Sequence, residues 1–350
     1  MHRFDYSFLQ NSQLPSSFIN VTAEIYSLRM LSSERTKQYE EIFSELEQIA
    51  KIQSVKSSNE IEGIISTDER IAAIVNGNTA PLDHNEMEIA GYRDALAEVH
   101  RTYASLPFTE ETILDLHRTM LDIAGYAYAG KYKTENNSII EEDRATGRRS
   151  VRFRPVPAEE TSDAMEQLIL AYQDASGDAS VNQLLLIPCV ILDFLCIHPF
   201  RDGNGRLSRL LSLLLLYQNN FDAGKYISFE EQISERKGNY YEALKASSEG
   251  WHENRNDYVP FIMEFLLELY HCYKELDKRF AVIGSKKVTK QARIEATVLN
   301  SLTPISKADV LKILPDVSAS TVEMVLGDMV RSGSIVKVGA GRATKYLKNR

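Results

Sequence analysis

Two long apolar runs joined by a short polar loop constrain this chain more than any other feature. VNQLLLIPCVILDFLCI, residues 181–197, and RLSRLLSLLLLYQN, residues 206–219, are apolar nearly all round. A helix without a polar face must be buried on every side, so each run reads as a central helix. The stretch from Leu184 to Ile197 carries Asp193 and is too short to span a bilayer, so it reads as a buried helix. The chain therefore folds around a pair of consecutive buried helices.

The flanking segments supply amphipathic partners. EIYSLRML and YEEIFSELEQIAKI place apolar residues three and four apart, the helical signature. Residues 1–85 read as a helical region, with breaks expected at Ser32-Ser33 and over 76–85. MEIAGYRDALAEVH continues in helical period from Glu86 to about Tyr103, and Thr109 is a candidate N-cap for the next helix. SIIEE and SVRFR are short β-prone runs around a polar stretch ending in Gly147, a hairpin signal. YVPFIMEFLLELYHCYKELDKRF reads as a long helix closing the body at residue 283, and GSKK as a linker.

Composition narrows the function classes. Apolar residues at 43% and charged residues at 25% exclude wholesale disorder and collagen-like repeats. Cys189, Cys196 and Cys272 have neither paired nor metal-site spacing, and the first two, in the apolar stretch, read as buried reduced thiols. MHRFDYSFLQ lacks the apolar core of a signal peptide, so a cytoplasmic protein without membrane segments is expected. The net charge of −9 is uneven: Gly284–Arg350 holds 12 Lys/Arg against 5 Asp/Glu, a balance of +7, which leaves −16 on residues 1–283. An acidic body with a basic tail points to two jobs. In the tail, RIEATVLNSL, SKADVLKIL and SASTVEMVLGDMVRSG read as three short helices and SIVKVGAGRATKYLK as two strands. That order matches a winged helix-turn-helix over 284–350. Its recognition helix would be Ser320–Ser332, with Lys337, Arg342 and Lys345 on the wing near phosphates. Few long polar residues on that helix can reach base edges, so DNA binding, dimerisation and protein docking all stay open.

The loop between the two apolar runs is His198-Pro199-Phe200-Arg201-Asp202-Gly203-Asn204-Gly205. Pro199 cannot continue the first helix. Gly203 and Gly205 let successive N–H groups converge, and the next helix directs its positive end to the same point. This is a phosphate cradle. Asp202 is a hard oxygen ligand suited to a partly hydrated Mg²⁺. Asn204 can donate its amide to a phosphate, and Arg206 and Arg209, three apart, can each hold one bidentately. His198 is the group whose ordinary pKa suits a general base.

The segment His198–Arg209 resembles the Fic family signature HxFx(D/E)GNGRxxR and matches it at every specified position. The resemblance covers roughly residues 1–280. It implies a mainly helical bundle with a β-hairpin flap over the site, here followed by the winged helix-turn-helix. The catalytic core and its closing helix would be residues 86–283. The activity implied is transfer of AMP from ATP to a protein Ser, Thr or Tyr hydroxyl, with Mg²⁺ as cofactor. By position, His198 would be the base and Asp202 the metal ligand. Gly203, Asn204, Gly205, Arg206, Leu207, Ser208 and Arg209 would hold the nucleotide phosphates, with Phe200 anchoring the loop. Tyr240 and Tyr241 resemble the family's adenosine-side tyrosines, and Ser248 stands where some members carry Asn. The flap would run from about Lys133 to Arg154, with Ser138 and Ile139 in it. Lys133 stands where members often carry Arg. The run ENNSIIEEDRATGRRS bears on target choice or is a solvated loop.

Ser58, Glu62 and Gly63 fit the family's inhibitory pattern (S/T)xxxE(G/N) within residues 58–63, upstream of the core. By resemblance Glu62 would pair with Arg209 and displace the γ-phosphate; it could instead orient water for removing AMP. The partners implied are ATP, a target protein, a second copy of the chain in a dimer, and DNA through the tail. Two further readings remain: a DNA-binding transcription regulator with a nucleotide-sensing Fic domain, and transfer of another donor such as phosphocholine.

Overall fold

The computed structural model describes residues 2–11, 15–142, 147, 149–284, 289–299, 301, 304–314, 316–339, 341 and 344–349. In chain order the helices are α1 (Phe8–Asn11), α2 (Ser16–Gln38), α3 (Glu40–Ile61), α4 (Asp68–Val75), α5 (His84–Thr102) and α6 (Glu110–Asp122). Strands β1 (Ile139–Glu142) and β2 (Arg149–Phe153) come next, then α7 (Thr161–Gly177), α8 (Gln183–Ile197), α9 (Asn204–Gln218), α10 (Phe229–Glu235), α11 (Lys237–Ser248) and α12 (Val259–Gly284). The tail holds α13 (Lys290–Leu299), β3 (Ile305–Ser306), α14 (Lys307–Ile313), α15 (Ala319–Arg331), β4 (Ile335–Val338) and β5 (Lys345–Lys348).

Side-chain caps start many of these helices. Thr67, Asp83, Thr109, Asn182 and Ser228 each accept a backbone N–H from the first turn of α4, α5, α6, α8 and α10. The expected break at Ser32-Ser33 does not occur, because α2 runs through it to Gln38. Ser32 is buried, and α2 packs along α12, so tertiary contact overrides the weak local signal. The break over 76–85 lies between α4 and α5 as expected.

α8 and α9 lie at the centre of the bundle. Every residue from Leu184 to Ile197 is buried, as is every residue from Arg206 to Tyr217. α7, α12, α5 and α6 cover them, while α3 packs on α5 and α10. Residues 1–85 thus share one core with the helices of the central bundle. The three cysteines are free and buried, and no helix of the described residues is long and apolar enough to cross a membrane.

β1 and β2 pair antiparallel, from Ile139 opposite Phe153 to Glu142 opposite Arg149. Residues 143–146 and 148, at the tip, lie outside the described residues. In the tail, β3, β5 and β4 form an antiparallel sheet in that order. Three helices precede the paired β4 and β5, and β3 lies between the first two of them. On α15, Glu323 pairs with Lys307 at 2.6 Å and Asp328 pairs with Arg331. Lys337 lies on β4 and Lys345 on β5; Arg342 and the linker residues 285–288 fall outside the described residues.

One polar group interrupts the apolar length of α8. Asp193 is fully buried and accepts from Tyr6 Oη at 2.8 Å, Trp251 Nε1 at 2.7 Å and Tyr258 Oη at 2.9 Å. Burial pushes its carboxyl up to about 7, with the three donors pulling it back. The cluster fastens the N-terminal segment and the start of α12 to α8. Asp193→Ala leaves three buried donors unpaired and should cost about 3 kcal/mol in urea denaturation. An unchanged midpoint would show the cluster to be dispensable.

Candidate functional site

The loop between the central helices is held rigidly from several sides. His198 ends α8 in the left-handed region (φ 51°), and Gly203 turns back at φ 81° to start α9. A Cβ on Gly203 would come within 2.7 Å of Met120 Cε, so backbone freedom and close approach both require glycine. Phe200 is fully buried, stacked on His117 at 3.7 Å between ring centroids. His117 Nδ1 accepts Gly130 N–H at 2.9 Å, which makes Nε2 the donor to Asp202 O at 3.0 Å.

Two expected roles are corrected here. Asn204 does not offer its side chain to the site. It is 2% exposed; its Nδ2 donates to Phe200 O at 2.8 Å and its Oδ1 accepts Phe200 N–H at 3.0 Å. The side chain staples the loop, and only its backbone remains for a ligand. Leu207 is fully buried on the core face of α9, so its side chain reaches no ligand either.

Lys133 is also not part of the hairpin. Its Nζ donates to Ile197 O at 3.1 Å, His198 O at 3.0 Å and Asn137 Oδ1 at 3.0 Å. A lysine ammonium thus satisfies the last carbonyls of α8, which have no partner within the helix.

His198 lines a cavity of about 250 Å³ with Gly205, Ser208 and Arg209 from the second helix. The same cavity takes Glu62 from the end of α3, Ser138 and Ile139 from the hairpin, and Tyr240, Tyr241 and Ser248 from α11. Tyr240 is buried and Tyr241 more open. An ion pair, Lys245 Nζ to Glu141 Oε2 at 2.7 Å, ties the hairpin to α11. Gly203, Asn204, Arg206, Leu207 and Asp202 are not among the residues lining this cavity.

The imidazole of His198 is held neutral. Burial and then the Lys133 charge push its pKa down to about 4. Its Nδ1 lies 3.4 Å from Leu195 O. In the tautomer that donates there, Nε2 is the nitrogen left to take a proton.

Arg206 and Arg209 diverge despite their spacing. Arg206 is 1% exposed and pairs with Glu88 of α5 at 2.7 Å and more distantly with Asp202 at 3.7 Å. Its Nε and Nη1 are buried without a hydrogen-bond partner among the described residues. Arg209 donates through Nε to Ser58 Oγ at 2.8 Å, and through Nη2 to Ser58 O at 2.9 Å and Glu62 Oε1 at 2.8 Å. Burial pushes the Glu62 carboxyl up, but the adjacent Arg209 outweighs it and leaves the group below its ordinary range.

The end of α3 aims Glu62. Ile64 N–H reaches Asn59 O and Gly63 N–H reaches Glu60 O, both at 3.0 Å, with Gly63 at φ 82°. This is a Schellman termination, which needs a left-handed residue where Gly63 stands. Lys237 Nζ adds a bond to Ile61 O at 2.7 Å. The carboxylate then rests against Gly205, where a Cβ would collide with Glu62 Oε1.

The donors fit a polyphosphate: two orphaned buried guanidinium nitrogens on Arg206 call for anionic oxygens. Asp202 fits a hydrated Mg²⁺, since its side chain is 57% exposed and Oδ1 is already bonded to Gly203 N–H at 2.7 Å. Among the described residues no group of three or more His, Cys, Asp or Glu could hold a metal by itself. A substrate oxygen would have to complete the shell.

Glu88, His117 and Lys133's clamp were not legible as site residues. Glu88 left one clue: it shares a helical face with Tyr92 and Val99, both buried, so a carboxylate there needs a counter-ion. For His198, an NMR titration should place the imidazole midpoint near 4, and Lys133→Met should raise it toward the usual value of about 6.5. A midpoint near 6.5 in the parent would contradict the assigned burial and charge.

Residues 107–216 match the profile of the Fic/DOC family. The protein adenylyltransferase Fic of Nematostella vectensis is 29% identical over 223 residues, 61% of this chain and 45% of that protein. The protein adenylyltransferase fic-1 of Caenorhabditis elegans is 26% identical over 169 residues, 46% of this chain and 30% of that protein. The chain spans less than half the length of these curated relatives. A Fic family protein from Desulfovibrio desulfuricans has the same overall fold, with a TM-score of 0.62 at 19% identity over 96% of this chain and 97% of that one.

Proposed function

We propose that this chain, whose residues 107–216 match the Fic/DOC family profile, is a protein adenylyltransferase that Glu62 holds inactive. It would transfer AMP from ATP to a Ser, Thr or Tyr hydroxyl of a protein, itself included. The observation that carries this reading is the convergence of a neutral imidazole, the first turn of a helix at Gly205 and the buried Arg209 guanidinium on one cavity, with the unpartnered nitrogens of Arg206 buried on the same helix. A binding site alone has no use for the imidazole.

In this reading His198 Nε2 takes the proton from the target hydroxyl. The hydroxyl oxygen forms a bond to the α-phosphorus, the bond from that phosphorus to its β-bridging oxygen breaks, and pyrophosphate leaves. Backbone N–H groups of Asn204 and Gly205, in the first turn of α9, face the charge that develops on the α-phosphate. Arg206 offers Nε and Nη1 to the β-phosphate, and Arg209 binds the γ-phosphate once Glu62 gives way. Mg²⁺ held by Asp202 would neutralise phosphate charge. Tyr240, Tyr241 and Ser248 bound the adenosine end.

Inhibition follows from occupancy and charge. Glu62 occupies Nη2 of Arg209 and places a negative group on Gly205, beside an incoming triphosphate. The cavity of about 250 Å³ falls just below the range of about 300–1,000 Å³ usual for small-molecule pockets. Withdrawing the carboxylate enlarges it and frees the guanidinium together.

Intact mass spectrometry after incubation with ATP and Mg²⁺ tests both parts. Glu62→Gly should raise AMP addition about tenfold or more, and His198→Ala in that background should lower it about a hundredfold or more. A Glu62→Gly protein no more modified than the parent would falsify the inhibitory role. Because His198 titrates near 4, transfer by Glu62→Gly should keep its rate from pH 8 down to about 5 and fall only as the imidazole protonates below that. A loss centred near pH 6.5 would mean that the base is not held as described.

A further inference from the structure

Arg152 stands in the cavity wall with no part in the reaction just described. It lies on β2 beside Phe153, and its Nη1 is buried with no hydrogen-bond partner among the described residues. None of the described carboxylates pairs with it. Glu141, the acid that acts on it most, is engaged by Lys245 at 2.7 Å. Burial holds its guanidinium below the usual arginine range. A guanidinium carries five donors and no acceptor, and leaving it half-buried without a partner is costly. The cavity is therefore built for a ligand that brings acceptors to this wall.

The surroundings identify which part of the ligand that is. Arg152 acts on Cys196 and is not among the charges acting on Glu62, which are led by Arg209, Arg206 and Lys237; Tyr241 lies between, acted on by Glu62 and Arg209 and then by Arg152. The same cavity is lined by Ile139, Phe153 and Leu244. Apolar and aromatic lining of this kind suits the flat face of a base, and a guanidinium in the same cavity then offers its donors to the base's edge.

We propose that Arg152 determines which nucleotide the site accepts, by donating hydrogen bonds to acceptor atoms on the edge of the base. The inference rests on the nucleotide-donor reading for the class of ligand. Bases differ in the acceptors they present: guanine offers O6 and N7 along one edge, while adenine offers N7 beside an amino group that arginine cannot satisfy. Discrimination between donors then passes through this one side chain.

The test is calorimetric binding to the full chain carrying Glu62→Gly and His198→Ala, so that nucleotide binds without being consumed. ATP, GTP, CTP and UTP, each with Mg²⁺, are titrated with and without Arg152→Met. The nucleotide that binds best should lose about tenfold in affinity and the others less, narrowing the spread. Arg152→Lys, which keeps the charge but not the planar fork, should leave the spread narrowed. If all four lose the same factor, Arg152 attracts phosphate and the inference is wrong. It is equally wrong if none changes or if lysine restores the preference. Should Arg152→Met melt earlier than the parent, the lysine variant alone decides. Absence of binding by every nucleotide overturns the adenylyltransferase reading along with this one, whereas tight binding with an unchanged preference overturns only this one.

Discussion

Burying two successive helices on all sides forces the chain between them to solve its polar groups locally, and the remaining architecture depends on that solution. The end of α8 presents carbonyls with no helical partner, and Lys133 satisfies two of them from outside the helix. Asn204 closes the loop on Phe200, and His117 holds Asp202 O from below. With its backbone so occupied, the loop has one geometry. It therefore delivers the imidazole of His198 and the N-terminus of α9 to the same cavity without needing a ligand to organise them.

The second consequence concerns charge. Arginines on a fully buried helix must find partners, and the two here find them in different helices. Arg206 is balanced by Glu88 of α5, with two nitrogens left over. Arg209 is bound by Ser58 and Glu62 at the end of α3. The Glu62 contact joins a well-buried guanidinium to a carboxylate that is one-third exposed. Of the two pairs, this is the more exposed. In the proposed reading, regulation and catalysis would be two occupants of one guanidinium, with α3, carrying the carboxylate, setting which prevails.

Much of this was legible along the chain because the loop, the helix start and both arginines fall within His198–Arg209. Local chemistry also gave away the cap at Thr109. What stayed hidden depends on contacts distant in sequence. The roles of Asn204 and Leu207 turn on which face of α9 is buried, and a helix apolar nearly all round gives no periodicity from which to read that. Ser32-Ser33 looked like a break, yet packing of α2 on α12 carries the helix through. Glu88, His117 and Arg152 sit in strings without a motif, and only the fold brings each to the site.

A crystal structure of Glu62→Gly with a non-hydrolysable ATP analogue and Mg²⁺ tests the central claim most directly. The account predicts the γ-phosphate on Arg209 where the carboxylate had been, the β-phosphate on Arg206, and the α-phosphorus beside Nε2 of His198. A triphosphate bound elsewhere, or one seated in that pose in the parent while Glu62 still holds Arg209, would contradict it.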